Sequence, residues 1–158
     1  MKIFVISLLD AEARRERAAR QLGEAGLAFE FFDAMRGEQV MADGYFDHCD
    51  EAEWLLNTGH PMSLGEVGCF ASHRSMWQKC VELGEPLMIM EDDFQLLPGF
   101  AGAVEQVAGN ISECGFIRLQ SETRARKQRI AERGDYTLWR YTKVPHSCMC
   151  NSMTPEVA

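Results

Sequence analysis

An apolar run, Leu87-Met88-Ile89-Met90, leads straight into Glu91-Asp92-Asp93, and this junction constrains the fold more than any other segment. Four apolar residues without alternation, entered from Gly84 and Pro86, predict a strand buried on both faces. Consecutive carboxylates cannot continue such a strand, because buried unpaired charge is too costly. The triplet therefore belongs at the carboxyl end of the strand, the edge at which open α/β sheets bind ligands. Carboxylates there offer hard oxygen ligands to Mg²⁺ or Mn²⁺, which can in turn hold a diphosphate. A solvated acidic turn that simply closes the strand is the competing reading.

The rest of the chain narrows the function classes. A length of 158 residues suits one domain, and 46% hydrophobic content excludes disorder. With a net charge of −8 the chain is no general nucleic-acid binder. No apolar run reaches the length of a membrane span, and Lys2 to Leu9 lacks the features of a secretory signal. The six cysteines form no CxxC pair, which argues against structural zinc and for reduced thiols in a cytoplasmic setting.

Lys2 to Leu8 reads as a first buried strand, Asp10 as the cap of a following helix, and Leu27 to Phe32 as a second strand. Strand, helix, strand of this length predicts a βαβ unit with a parallel strand pair. Residues 37 to 61 show no clear periodicity and read as a long excursion over the sheet. Ser63-Leu64-Gly65-Glu66 is a capping box that opens a helix to about Leu83. On that helix Val67, Phe70, Trp77, Cys80 and Val81 cluster on one side, with Glu66, His73 and Cys80 aligned along it. A helix from about Pro98 to Ile111 and strands at Phe116 to Gln120, Thr137 to Tyr141 and Ser147 to Ser152 follow. The expected fold is α/β, a mostly parallel, Rossmann-like sheet flanked by helices in one domain over residues 1–158. Thr154-Pro155-Glu156 reads as a helix start. The accompanying expectation is a C-terminally incomplete domain that self-associates through uncovered apolar surface.

Several segments together resemble one family. Val5-Ile6-Ser7-Leu8 precedes an Arg-rich helix with Arg14-Arg15-Glu16-Arg17, and Phe32-Asp33-Ala34 follows with Gly37. Ser63-Leu64-Gly65-Glu66-Val67-Gly68-Cys69-Phe70-Ala71-Ser72-His73 comes next with Trp77, and then Glu91-Asp92-Asp93 and Phe116-Ile117-Arg118-Leu119. In this order and spacing they resemble the bacterial lipooligosaccharide galactosyltransferases of glycosyltransferase family 25, whose fold also occurs in collagen-modifying galactosyltransferases. The resemblance implies a GT-A-like enzyme that takes a UDP-sugar donor, normally UDP-galactose, with Mn²⁺ or Mg²⁺ on an acidic motif. It further implies inverting transfer to a lipooligosaccharide (LPS) core at the cytoplasmic, inner face of the inner membrane. A non-catalytic nucleotide-sugar-binding module is the alternative, and a metal-dependent phosphoesterase lacks a matching nucleophile here.

Within that resemblance Asp93 is the first candidate metal ligand and Asp92 the second, with Asp92 or Glu91 contributing through water or the ribose. Ser7 and Leu8 are candidates for uracil contact, and Arg14 for ribose or phosphate, although a solvated helix face explains Arg14 equally well. Asp33 is a candidate to orient the nucleotide or else a turn cap. Glu66 stands at a helix N-terminus that attracts anions, or serves only in the capping box. Ser72 and His73 are candidate sugar or acceptor contacts, with core packing as the alternative for His73. The basic residues Arg118, Arg124, Arg126, Lys127, Arg129 and Arg133 face an acidic glycolipid or an anionic membrane surface, or form an ordinary charged surface. An inverting transfer needs a base on the acceptor hydroxyl, and no residue is singled out for it.

Overall fold

A computed structural model of the chain describes residues 1–44, 49–119, 126–142 and 147–158. Its elements run β1 (Lys2–Ser7), α1 (Glu12–Glu24), β2 (Glu30–Asp33), α2 (Gly37–Ala42), α3 (Glu51–Thr58) and α4 (Leu64–Leu83). They continue with β3 (Leu87–Glu91), α5 (Phe100–Cys114), β4 (Phe116–Arg118), β5 (Lys127–Arg133), β6 (Tyr136–Tyr141) and β7 (Cys150–Met153). Arg124 lies outside the described residues.

The five-stranded sheet has the order β2-β1-β3-β7-β4. β1 runs parallel to both β2 and β3, as the βαβ reading requires, with Ser7 opposite Asp33 and Ile6 opposite Glu91. The carboxyl ends of all three strands therefore share one edge. The sheet is mixed beyond β3, because β7 inserts antiparallel between β3 and β4. The chain leaves β4, forms the separate β5–β6 hairpin, and returns in the opposite direction.

Strand alternation divides the core into two layers. Ile3 and Val5 of β1, with Met88 and Met90 of β3, pack against Ala18 and Leu22 of α1 and Val104, Val107 and Ile111 of α5. Phe4, Ile6, Leu87 and Ile89 face the other way, against Met76 and Cys80 of α4. This explains the unbroken apolar runs: β1 and β3 are covered on both sides.

Several boundaries differ from the sequence reading for local reasons. The described residues between 37 and 61 contain two helices, each too short to display a helical period. Asp50 is a usable signal for α3, since its side chain accepts from the Glu53 backbone N–H at 2.9 Å. Asp10 does not cap α1; Ala11 occupies that position without a side-chain bond, and Asp10 accepts from Arg36 at 2.6 Å. On α4 the inward residues include Val67, Ala71, His73, Met76 and Cys80, whereas Val81 is 54% exposed. β5 has no counterpart in the sequence reading, because its Lys127–Arg133 segment carries charge on both faces and is largely exposed.

The capping box forms as expected. Ser63 Oγ accepts from the Glu66 N–H at 3.3 Å, and a Glu66 carboxylate oxygen accepts from the Ser63 N–H at 2.8 Å. The bond from the Ser63 N–H, and then one from the Ser63 hydroxyl at 2.8 Å, hold the Glu66 carboxyl below the usual carboxylate range. Ser63→Ala should lower stability by about 1 kcal/mol in urea denaturation. An unchanged midpoint would show that the cap contributes nothing to α4.

None of the six cysteines is bridged to another. Among the described residues no helix is long and apolar enough to cross a membrane.

Candidate active site

A cleft of about 420 Å³ opens at the carboxyl edge of β1 and β3, between the N-terminal part of α4 and the start of α1. Ser7, Arg14, His73, Glu91, Asp92 and Asp93 all border it, as do Leu8 and Ser72. Sequence positions far apart thus converge on one surface. Asp33 and Glu66 are not among the lining residues. Asp33 pairs with Arg15 at 2.9 Å, and Glu66 remains in the capping box.

The three adjacent carboxylates have three different environments. Asp92 is only 6% exposed. One of its oxygens accepts from Ser7 Oγ at 2.6 Å, and the other pairs with Arg14 at 3.2 Å. Arg17 donates to the Asp92 backbone carbonyl at 3.2 Å. Asp92 is thereby a strut joining the ends of β1 and β3 to α1. Asp93 is exposed and makes no hydrogen bond or ion pair among the described residues. Glu91, the last residue of β3, accepts from His73 Nε2 at 3.2 Å and from Cys69 Sγ at 3.5 Å. The bond from His73, against the opposing effect of burial, holds the Glu91 carboxyl below its ordinary range.

His73 is only 3% exposed, and its Nδ1 has no hydrogen-bond partner among the described residues. Its ring lies on the inward face of α4 and borders the cleft. Ser72 is fully buried. Its hydroxyl donates to the Gly68 carbonyl at 2.7 Å and accepts from the Met35 N–H at 2.9 Å, which fixes the loop from β2 to α2 against α4. That loop forms the opposite lip of the cleft through Met35 and Arg36.

Close backbone approach sets the lip. A Cβ on Gly68 would meet the Met35 carbonyl oxygen at 2.5 Å, and one on Gly37 would meet the Leu64 carbonyl carbon at 2.6 Å. Glycine at these two positions lets α2 cross α4 nearly in backbone contact.

Cys69 carries no sequence signal beyond its place one helical turn before His73, and sequence reasoning misses it. Burial, then the Glu91 charge, pushes its thiol up to about 12, so it is no thiolate nucleophile near neutral pH. Arg17 is missed in the same way as a contributor; its place one turn after Arg14 is the available signal.

A second, larger cavity of about 1160 Å³ lies on the other side of Asp93, which borders both. Phe94, Leu97, Phe100 and Trp139 contribute apolar wall, and Arg118 and Lys127 contribute positive charge. The β5–β6 hairpin forms its roof, anchored by the Tyr136 hydroxyl donating to the Gly99 carbonyl at 2.8 Å.

The chain is a mixed α/β sheet flanked by helices, with a carboxylate-bearing cleft at the strand-end edge where open α/β sheets bind ligands. The sequence profile of glycosyltransferase family 25 (LPS biosynthesis protein) matches residues 1–149, and the chain belongs to that family. It is 34% identical over 95 residues to the lipooligosaccharide biosynthesis protein lic2B of Haemophilus influenzae, covering 59% of this chain and 34% of that protein. Procollagen galactosyltransferase 1 of Danio rerio is 31% identical over 106 residues, 60% of this chain and 16% of that protein. Inactive glycosyltransferase 25 family member 3 of Homo sapiens is 30% identical over 122 residues, 70% of this chain and 19% of that protein. The chain thus spans about a third or less of the length of these curated relatives.

Proposed function

We propose that this chain binds a nucleotide-sugar, UDP-galactose, in the 420 Å³ cleft as the donor-binding unit of a GT-A-like, inverting galactosyltransferase. The observation that carries the reading is the split of the acidic triplet, with Asp92 spent on Ser7 and Arg14 and Asp93 left unpaired toward the cleft. One free carboxylate suits Mn²⁺ or Mg²⁺, which takes most of its remaining ligands from phosphate and water. Asp93 would hold such a cation, which would supply Lewis-acid neutralisation of charge on a departing diphosphate. Arg14, with its side chain 46% exposed beside Asp92, adds a second positive group on the same wall. Leu8 and Ser7 offer the end of β1 to the base. His73 and Glu91 form the wall next to Asp93.

The acceptor in this reading is a lipooligosaccharide (LPS) core glycolipid, approaching Asp93 from the larger cavity. In this reading the basic residues of the hairpin face its anionic groups and, from the cytoplasmic side, the inner leaflet of the inner membrane. The same fold also supports a binding module without transfer, a reading favoured by the human relative described as inactive.

Calorimetry with UDP in the presence and absence of Mn²⁺ tests the donor site. Asp93→Asn should keep the fold and weaken metal-dependent UDP binding at least tenfold, about 1.4 kcal/mol. Equal affinity of Asp93→Asn and the parent for UDP with Mn²⁺ would remove Asp93 as the ligand. UDP binding without turnover of any UDP-sugar would favour the binding module.

A further inference from the structure

We propose that Cys69, His73 and Glu91 form a binding site for a thiophilic divalent cation of the Zn²⁺ class, separate from the oxygen-ligand site assigned to Asp93. Cys69 and His73 stand one turn apart on α4, and Glu91 ends β3. Their three ligand atoms all lie within 4.8 Å of one another. His73 Nε2 is 3.2 Å and Cys69 Sγ 3.5 Å from the same Glu91 oxygen. Tetrahedral zinc, with bonds of ~2.0–2.3 Å, places neighbouring ligand atoms roughly 3.4–3.7 Å apart. A cation between the three atoms therefore requires only small side-chain movements, and rigid elements supply all three ligands.

The donor set also selects the metal. Thiolate and imidazole favour zinc and its neighbours, whereas Mg²⁺ and Mn²⁺ favour carboxylate, carbonyl and water. All three residues border the cleft, so the fourth coordination position points to an accessible space, as in zinc sites with an open ligand. In the metal-free protein the thiol and the ring N–H both donate to Glu91. On binding, the thiol proton leaves to solvent and the ring proton moves from Nε2 to Nδ1, which frees sulfur and nitrogen lone pairs for the cation. Nδ1 is buried without an acceptor. The shifted proton is then an unpaired donor, and affinity falls below that of sites whose ligating histidine has a hydrogen-bond acceptor behind it.

Co²⁺ is a spectroscopic probe for such a site. Titration of the full chain should produce a thiolate-to-cobalt charge-transfer band that saturates at one Co²⁺ per chain and is erased by Zn²⁺. Cys69→Ser and Cys69→Ala should both abolish the band with unchanged circular dichroism, since Cys69 borders the cleft and belongs to none of the hydrophobic core clusters. Glu91→Gln should weaken Co²⁺ binding at least tenfold, and Asp93→Asn should leave the band intact. Absence of a thiolate band at saturating Co²⁺, or its persistence in both Cys69 variants, would overturn the site. Because Asp93→Asn is read separately through UDP and Mn²⁺, failure of the donor reading and failure of this one give different results.

Discussion

Gly37→Ala is expected to destabilise the protein by about 3 kcal/mol, the upper end of the usual overpacking range. The new methyl would fall on the backbone of Leu64, and a backbone clash is not relieved by rotating a side chain. α2 must then move away from α4, taking the Met35–Arg36 lip of the cleft with it. A lower urea midpoint with unchanged m should accompany weaker UDP binding. Gly109→Ala is the control: Gly109 lies within α5 with no atom near its would-be Cβ, and alanine there should add about 0.5–1 kcal/mol of stability. If Gly37→Ala unfolded at the parent's midpoint, the close crossing of α2 over α4 would not be a constraint.

Asp92→Ala should cost about 2–3 kcal/mol, chiefly from leaving the buried Ser7 hydroxyl without its charged acceptor. Arg14 contributes little to this loss, because its half-exposed side chain regains water. Asp93→Asn should change stability by less than about 0.5 kcal/mol. Neighbouring acids in one triplet are thus expected to differ in kind, one seen in thermal or urea unfolding and the other in ligand affinity. A stable Asp92→Ala with selectively weakened Mn²⁺ binding would make Asp92 a metal ligand instead of a strut.

That division is not readable from Glu91-Asp92-Asp93, since the three side chains share their chemistry and only distant Ser7 and Arg14 distinguish the middle one. What is legible in the sequence rests on strong local signals. β1 and β3 announce themselves as unbroken apolar runs, and α4 through its capping box. The family resemblance groups Ser7, Arg14, His73 and the triplet as parts of one site, and all of them border the cleft. α2 is illegible because it is too short to express a period, and α3, equally short of one, is marked only by its Asp50 cap. β5 is illegible because a largely exposed strand carries no alternation. The antiparallel entry of β7 depends on a pairing with β3 that no local pattern encodes. Cys69 is hidden for a different reason: its significance is its distance to Glu91, which belongs to another element.

The insertion of β7 also bears on how the molecule is made. β1, α1, β2 and β3 precede it along the chain, yet β3 acquires its second neighbour only when Cys150–Met153 arrives. The backbone N–H of Glu91 likewise finds its acceptor only in the Met149 carbonyl, 2.9 Å away. During synthesis the central strand therefore carries a bare, highly apolar edge until β7 docks. Such an edge is a template for pairing with other chains, and the long sequence separation slows its closure. The carboxylate corner is accordingly completed only after β7 has been made, and crowded nascent chains compete with β7 for the same row of backbone groups.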